Sequence, residues 1–273
     1  MSSAMVVLSG GQDSTTCLFW AKQYYETVHA VCFDYGQRHR IEIESAEIIA
    51  DRADIASFEV ISLLEDVLES TSPLTSKQVT LEQYANHAAM EAIIGDRIEK
   101  TFVPMRNMLF LTLAANRAIA RGCETLVTGI CQEDNANYPD CREEFRQSME
   151  MAIFYALDRP LMIKAPLMYK SKAESVKLAL QIPGAYAALA WSHTSYDGKY
   201  PPTDMNHSNV LRAHGFAVAQ VPDPLVLRAF SEGKMDLPDT SNYSLERIQA
   251  VVHKLDDLRE DVVAAVAAHW GVR

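Results

Sequence analysis

Long hydrophobic runs are missing from this chain of 273 residues, since its apolar runs fall short of the ~20 residues that a membrane-spanning helix needs. The opening string MSSAMVVLSGG has neither the basic stretch nor the hydrophobic core of a secretion signal. Five cysteines lie at positions 17, 32, 123, 131 and 141, and none has the C-x-x-C spacing of a zinc or redox site. These absences predict a cytoplasmic protein with no membrane partner and no disulfide framework.

Positive charge is also scarce. The chain has 25 Lys and Arg against 36 Asp and Glu, which gives a formal net charge of −11. Such a chain lacks the basic surface of a general nucleic-acid binder, so we expect no nucleic-acid partner. A few local Arg and Lys side chains can still hold a small anion. The 48% hydrophobic and 22% charged residues are typical of a folded globular protein.

Short apolar runs alternate with helical patterns over the first two thirds of the chain. The predicted strands are 4–8, 28–34, 57–64, 124–130 and 161–167. The predicted helices are 13–27, 38–53, 105–121, 142–157 and 171–182. This alternation predicts an α/β fold with a doubly wound parallel sheet, and such folds have their sites at the carboxyl ends of the strands.

The remaining segments give weaker signals. Residues 65–103 are predicted to form a loop or lid with a short helix within 81–95. A shift in composition near 183 separates a first domain, 1–182, from a mostly helical C-terminal lobe, 183–273. Within this lobe, the apolar spacing over 245–270 predicts one long amphipathic helix, which packs on the chain's own core or forms an interface.

The sharpest motif is Ser9-Gly10-Gly11-Gln12-Asp13-Ser14, which closes the first strand and opens the first helix. Glycines at such a turn allow positive φ and close backbone approach, and the helix N-terminus favours a phosphate. A carboxylate at Asp13 would repel that phosphate unless it caps the helix, as Ser14 also can, or meets a magnesium ion. The motif is neither a Walker A loop nor the dinucleotide G-x-G-x-x-G pattern.

This motif resembles the pyrophosphatase loop (PP-loop) of the N-type ATP pyrophosphatases, which have an adenine nucleotide alpha hydrolase-like fold. The longer string LSGGQDSTTCL resembles one branch, QueC, the 7-cyano-7-deazaguanine synthases. Four further strings agree in order: FDYGQRHR at 33–40, FVPMRNMLFLTLAA at 102–115, TGICQEDNANYPDCR at 128–142 and APLMYKSKAE at 165–174. The resemblance implies a PP-loop domain over 1–182 that uses ATP and Mg²⁺.

The resemblance also implies roles for individual residues. Asp13 and Lys172 are the expected catalytic residues, with Lys170 a weaker candidate than Lys172. The residues expected to bind the nucleotide are Ser9, Gly10, Gly11, Gln12, Asp13, Ser14, Phe33, Gly129 and Lys172. The residues expected to bind a deazaguanine carboxylate are Arg106, Asp134, Tyr138, Asp140 and Arg142. Several residues of 132–137 depart from the family pattern, which leaves the second substrate open.

QueC enzymes hold a structural zinc ion with four late cysteines. The matching positions here are Ser195, Thr203, Asn206 and Asn209, and none of them is a thiolate. A tetrahedral zinc site cannot form from these side chains, so no zinc and no metal ligand is predicted. We expect hydrogen bonds, packing or a partner, such as a second copy in a homodimer, to hold this lobe. His193, His207 and His214 have no diagnostic spacing and are expected to be surface or core residues.

The implied activity is that of an ATP-dependent ligase. It adenylates the carboxylate of 7-carboxy-7-deazaguanine or a close analogue, releases pyrophosphate and then forms a C–N bond with ammonia, giving the amide and then the nitrile. A second hypothesis is a QueC-like enzyme of a bacterial antiphage (CBASS-type) system that joins the base to a protein amine. A third, a non-catalytic nucleotide-binding adaptor, predicts the loss of Asp13 or Lys172, and both are present.

Overall fold

The computed structural model describes residues 2–37, 40–63, 67–68, 70–76, 78–132 and 136–271. Within them the strands are β1 (Ser3–Val7), β2 (Thr27–Asp34), β3 (Ser57–Ser62), β4 (Thr125–Val127) and β5 (Met162–Lys164). The helices up to residue 182 are α1 (Gln12–Tyr24), α2 (Ile41–Arg52), α3 (His87–Ile94), α4 (Arg106–Ala120), α5 (Glu143–Leu157) and α6 (Lys172–Gln181). Those that follow are α7 (Ala185–Ala188), α8 (His207–Ala219), α9 (Pro224–Ser231), α10 (Leu245–Val251) and α11 (Arg259–Trp270).

The five strands form one parallel sheet in the order β3-β2-β1-β4-β5. This confirms the predicted α/β class and each of the five predicted strands. The strand order reverses direction at β1, whose neighbours are β2 on one side and β4 on the other. In doubly wound sheets a crevice opens at such a reversal, outside the carboxyl ends of the strands. The motif that follows β1 therefore lies at the edge of the sheet where a ligand site is expected.

The two faces of the sheet bury separate hydrophobic cores, because side chains along a strand point alternately to opposite faces. Ala4 and Val6 of β1 belong to the first core, which also includes residues of α1, α2 and α6. Met5 belongs to the second core, which is covered by α4 and α5. Fully buried residues on both faces of β1 explain why the strand reads as a continuous apolar run.

The segment before α4 contains the short helix predicted within 81–95, which is α3. Asn86 caps this helix by accepting a hydrogen bond from the N–H of Ala89. Leu74 and Leu81 are buried in the second core. The role of this segment as a lid stays a prediction, and residues 64–66, 69 and 77 of it lie outside the described part of the chain.

The prediction of one long helix over 245–270 is wrong. Helix α10 ends at Val251, two short 3-10 turns follow, and α11 begins at Arg259. Asp256 has a φ of +48°, which a continuous helix does not allow. The break lets Leu255 and Val262, both fully buried, reach the same first core from two differently directed segments. The residues beyond 220, which we call the extension, thus pack on the chain's own core. This is one of the two arrangements expected for 245–270.

The boundary between 182 and 183 stays a prediction. Leu189 and Phe216, which follow it, are fully buried in the same core as Val6 of the central strand. Helices α6 and α8, on either side of the boundary, pack directly against each other. Among the helices of the described residues, none combines the length and the apolar character required to cross a membrane.

A buried ion pair joins α8 to the segment that precedes α9. Arg212 and Asp223 are 3% and 4% exposed, and the guanidinium donates from Nε to Oδ2 at 2.5 Å and from Nη2 to Oδ1 at 2.8 Å. Arg212 also donates to the hydroxyls of Ser192 and Thr194 at 2.8 Å each and to the carbonyl of Leu189. Such a pair matters because either charge left alone in the interior is strongly destabilising.

We predict that Asp223→Ala lowers the free energy of unfolding by about 3–5 kcal/mol, because it leaves the Arg212 guanidinium buried without its counter-charge. The matched control is Asp257→Ala. Asp257 also forms a two-pronged pair, with Arg52, but its side chain is 57% exposed. An exposed pair of this kind contributes less than about 1 kcal/mol. Urea unfolding of both variants checks the prediction, and equal losses would contradict it.

Candidate functional site

A cavity of about 800 Å³ opens at the carboxyl ends of the strands. Among the predicted site residues, those that line it are Ser9, Gly11, Gln12, Asp13, Ser14, Phe33, Arg106, Gly129, Tyr138, Arg142 and Lys172. Gly10 and Asp140 lie behind the wall, and Asp134 is outside the described residues. One cavity thus brings together the predicted nucleotide residues and most of the predicted substrate residues.

The glycine loop connects β1 to α1 and is held by its own serines. The Ser9 N–H donates to the Ser14 hydroxyl at 3.2 Å, and the two hydroxyls lie 3.0 Å apart. Gly11 is the N-cap of α1, so the expectation that Asp13 or Ser14 caps this helix is wrong. Because Gly11 has no side chain to cap the helix, the N–H groups of the first turn remain suited to an anion.

Gly10 packs against the backbone at the start of α2. Its φ is +83°, and a Cβ built on it would lie 2.1 Å from the carbonyl oxygen of Glu42 and 2.9 Å from the nitrogen of Ala46. Backbone atoms cannot yield to that extent, so a side chain is excluded for steric reasons beyond the positive φ. The Gly10 carbonyl also accepts a hydrogen bond from the His193 N–H at 2.9 Å.

Gln12 adds a side-chain amide beside the N–H groups of the first turn of α1. The residue is 4% exposed, and its Nε2 has no hydrogen-bond partner among the described residues. A buried amide donor without a partner is costly, so a ligand acceptor is expected there. Gly129, where the chain leaves β4, lines the same region next to the backbone of Ser14. The loop therefore fits a polyphosphate.

Lys172 and Asp13 form an ion pair in the cavity wall. The Lys172 Nζ lies 2.7 Å from the Asp13 Oδ2, and the two side chains are 9% and 23% exposed. Ser171 forms a capping box with Glu174, which fixes the start of α6 at Lys172. Lys170 is half-buried and is not among the residues that line the cavity.

The stem of Lys172 lies against α8 at Gly215. A Cβ on Gly215 would be 2.5 Å from the Lys172 Cγ and 2.9 Å from its Cβ. Since those atoms are close to the Lys172 backbone, a larger residue at 215 would displace the whole side chain. Gly215 is a positioning residue that analysis of the sequence missed.

Phe33 forms an apolar wall near the end of β2. Its ring stacks on that of Phe110, with centroids 4.4 Å apart, and both residues line the cavity. Leu8 and Cys32 line the same region. An apolar wall with aromatic rings suits a purine ring.

The other end of the cavity is formed around Arg106, the first residue of α4. Three tyrosines line the cavity with it: Tyr35, Tyr138 and Tyr196. Glu42 also lines it, and burial raises the pKa of the Glu42 carboxyl to about 7, against the pull of Arg106. A half-buried guanidinium among aromatic rings suits an anionic group on a planar ligand.

The predicted substrate residues Tyr138 and Asp140 take different positions. The Tyr138 hydroxyl contacts the Thr101 hydroxyl and, at 3.4 Å, the carboxylate of Glu99, so the ring is left to face a ligand. Asp140 is 8% exposed, and its carboxylate accepts from the N–H of Asn107 at 3.3 Å. Asp140 thus stabilises the start of α4, next to Arg106, and is not among the residues that line the cavity.

Two residues, one in the cavity wall and one behind it, had no clear signal in the sequence. Glu99 is 2% exposed and accepts from Tyr84 at 3.2 Å and from Thr101, behind Tyr138. His207, the first residue of α8, is 5% exposed and lines the cavity, and its Nε2 has no partner among the described residues. Burial lowers the pKa of His207 to about 4, so its imidazole is neutral. The expectation of a surface or core residue left its burial open and missed its place in the cavity.

A scan against family models matches residues 3–220 to the family described as QueC, queuosine biosynthesis protein QueC. A 7-cyano-7-deazaguanine synthase of Chromobacterium violaceum is 46% identical over 233 residues, which cover 85% of this chain and 96% of that protein. One of Laribacter hongkongensis is 44% identical, over 82% of this chain and 94% of that protein.

Among solved structures, a 4-thiouridine synthetase in complex with RNA and bound ATP is 14% identical. The match covers 97% of this chain and 53% of that chain, with a TM-score of 0.42.

We predict that Gly10→Ala destabilises the fold by several kcal/mol, since the new methyl group meets backbone atoms of α2. The matched control is Gly122→Ala. Gly122 also has a positive φ, +69°, but has open space where a Cβ would lie. Its cost is therefore only the left-handed backbone, about 1–2 kcal/mol. Urea unfolding separates the two effects, and equal free-energy losses would show that the contact with α2 is unimportant.

Proposed function

This chain belongs to the QueC family, and from that membership we propose that it is an ATP-dependent ligase acting on 7-carboxy-7-deazaguanine or a close analogue. The observation that carries the proposal is the shared cavity. It joins a phosphate-binding loop with Asp13 and Lys172 to a guanidinium, Arg106, among aromatic rings. A nucleotide and a planar carboxylate can therefore meet in one chamber.

In the first step, a carboxylate oxygen of the base attacks the α-phosphorus of ATP. A C–O–P bond forms, the bond between the α-phosphorus and the bridging oxygen breaks, and pyrophosphate leaves with its electron pair. Negative charge grows on that leaving group. The capping box fixes the backbone of Lys172, and the contact with Gly215 restricts its side chain. Its ammonium is therefore preorganised to stabilise this charge.

Asp13 has two tasks in this scheme. Without nucleotide it neutralises Lys172 at 2.7 Å. Asp13 would hold Mg²⁺ beside the phosphates, with Lys172 close enough to contact the same phosphates. Mg²⁺ is commonly held by one or two carboxylates together with substrate phosphates, and it neutralises phosphate charge. Asp13 fits that pattern, whereas no group of three or more His, Cys, Asp or Glu suited to a metal occurs among the described residues.

The base occupies the other end of the chamber. Tyr138 offers its ring for stacking, since its hydroxyl is engaged by Thr101 and Glu99. Arg106 offsets the carboxylate charge and so brings it toward the equally anionic phosphates. Arg142 at the start of α5 lines the cavity and is a second cation for the same purpose.

In the second step, the nitrogen of an amine attacks the acyl carbon, a proton leaves the nitrogen, and AMP departs with the oxygen. We propose ammonia as the amine, which yields the amide, and a second ATP-driven dehydration then gives the nitrile. The support is the synthase name shared by relatives that match this chain over at least 94% of their length.

The decisive experiment combines the protein, ATP, Mg²⁺ and 7-carboxy-7-deazaguanine, with and without ammonium, and follows AMP and the base by mass spectrometry. AMP with amide or nitrile that depends on ammonium supports the synthase. AMP with an adenylated base that ammonium does not convert points to a protein amine as acceptor. Absence of AMP contradicts the proposed activity and favours a nucleotide-binding adaptor.

We predict that Lys172→Met lowers the rate of pyrophosphate release by at least about 10²-fold, the usual cost of removing one preorganised charge from a transition state. Lys170→Met is the matched control, because Lys170 is two residues away and is not among the residues that line the cavity. Its rate is expected to stay within a factor of two or so of the parent. A coupled pyrophosphate assay reads both variants, and similar rates for the two would remove Lys172 from the mechanism.

We predict that Arg106→Gln raises the KM for the carboxylate base by about 10- to 100-fold, the equivalent of one charge-assisted hydrogen bond. The KM for ATP is expected to change little, because Arg106 lies on α4 and is not part of the loop of residues 9–14. Arg117→Gln, on the same helix but with its guanidinium paired to Glu59 at 3.1 Å, is the control. An Arg106 variant that changes only the KM for ATP would place the guanidinium on the nucleotide instead.

A further inference from the structure

The four positions at which the family resemblance implies zinc thiolates do not fit a zinc ion. Ser195, Thr203, Asn206 and Asn209 offer hydroxyl and amide groups, which are neutral and bind Zn²⁺ poorly compared with thiolate or imidazole. The described residues likewise contain no cluster of His, Cys, Asp and Glu suited to a metal. Something else must join the segments that carry these positions.

A carboxylate lies among three of these four side chains. The Asp204 Oδ1 accepts from the Ser195 hydroxyl at 2.5 Å and also from the amide of Asn209. Its Oδ2 accepts from the amide of Asn206. The Asn209 amide reaches the Asp204 carbonyl as well, at 3.2 Å. Asp204 therefore links the loop after the Leu189–Trp191 turn to the start of α8. We call Ser195, Asp204, Asn206 and Asn209 the Asp204 cluster.

The orientation of the donors is fixed by their other contacts. Asn206 is the N-cap of α8, and its Oδ1 accepts from the N–H of Asn209 at 3.1 Å and from the Ser208 hydroxyl at 3.0 Å. That leaves its amide nitrogen as the group facing Asp204. The arrangement has the charge pattern of a metal site reversed: an anion lies at the centre and neutral donors surround it.

Two hydrogen bonds connect the Asp204 cluster to the phosphate loop, which is the glycine loop of residues 9–14. The Ser195 carbonyl accepts from the His193 Nε2 at 2.7 Å, and the His193 N–H donates to the Gly10 carbonyl at 2.9 Å. On its other side, the neighbouring Met205 exchanges hydrogen bonds with the segment before α3, from its N–H to Gln83 at 2.7 Å and from the Tyr84 N–H to its carbonyl at 2.8 Å. Ser195 and His193 also line the cavity.

We propose that Asp204 is a positioning residue that takes the structural place of a metal ion, so that this chain holds residues 193–195 against Gly10 of the phosphate loop without zinc. The proposal goes beyond the proposed function and needs no assumption about the substrate or the acceptor. It predicts a protein whose nucleotide site is independent of metal chelation and depends on the Asp204 carboxylate.

The first test measures metal in the full-length protein purified without added zinc. Elemental analysis is expected to find zinc well below one ion per chain, and a zinc chelator is expected to leave the urea unfolding midpoint unchanged. Stoichiometric zinc together with a midpoint that falls on chelation would overturn the proposal.

The second test measures the Kd for ATP by equilibrium dialysis in variants. Asp204→Asn keeps the size of the side chain but turns one oxygen into a donor that faces another donor, and it is expected to weaken ATP binding by about tenfold. Ser195→Ala removes a single donor and is expected to act in the same direction with a smaller change. It serves as the readable variant if Asp204→Asn does not fold.

Two controls separate positioning from general loss of stability. Asp236→Asn removes an exposed acidic group outside the cavity lining and is expected to leave the Kd unchanged. Val262→Ala creates a cavity in the fully buried core of the extension, which lowers the unfolding midpoint without touching the loop. An unchanged Kd in both Asp204→Asn and Ser195→Ala, or an equal rise in Val262→Ala, would overturn the proposal. A wild-type protein that binds no ATP would count against the proposed function, and the metal and chelator measurements would still decide the role of Asp204.

Discussion

The close contact between Gly10 and α2 is the constraint around which the site is arranged. The backbone of β1 turns into α1 at a point where only hydrogen fits between Gly10 and the carbonyl of Glu42. The same residue accepts the N–H of His193 from the C-terminal part of the chain. Sheet, second helix and late loop therefore meet at one residue, and the cavity between β1 and β4 takes its shape from that junction.

Much of the fold can be predicted from local sequence, and so can the part of the candidate site formed by the loop of residues 9–14 and Lys172. Five apolar runs become the five strands. The central strand β1 is buried on both faces, and the glycine pair follows it. Asp13 and Lys172 are identifiable because each opens a helix directly after a strand or its turn, and parallel strands bring their carboxyl ends to one edge. Proximity across 159 residues then follows from topology.

Other features depend on distant segments and leave no local signal. Asp140 has a sequence context that suggests ligand contact, yet its carboxylate serves the N-terminus of α4. Nothing near His207 tells that its imidazole reaches the cavity, since that depends on how α8 packs against α6. The apolar spacing of 245–270 is helical throughout, yet the chain breaks near Asp256, and residues on both sides of the break pack into the first core. Apolar periodicity predicts which side of a helix is buried, but it does not predict where the helix breaks.

The Arg212–Asp223 pair has a consequence for how this chain can change over generations. Arg212 lies within the segment shared with the family, whereas its carboxylate partner lies three residues past the end of that match at 220. Neither side can be discarded alone, because each single change passes through an intermediate with an isolated interior charge. This pair therefore ties the shared segment to the extension, because shortening the extension to before Asp223 removes one charge and leaves the other buried.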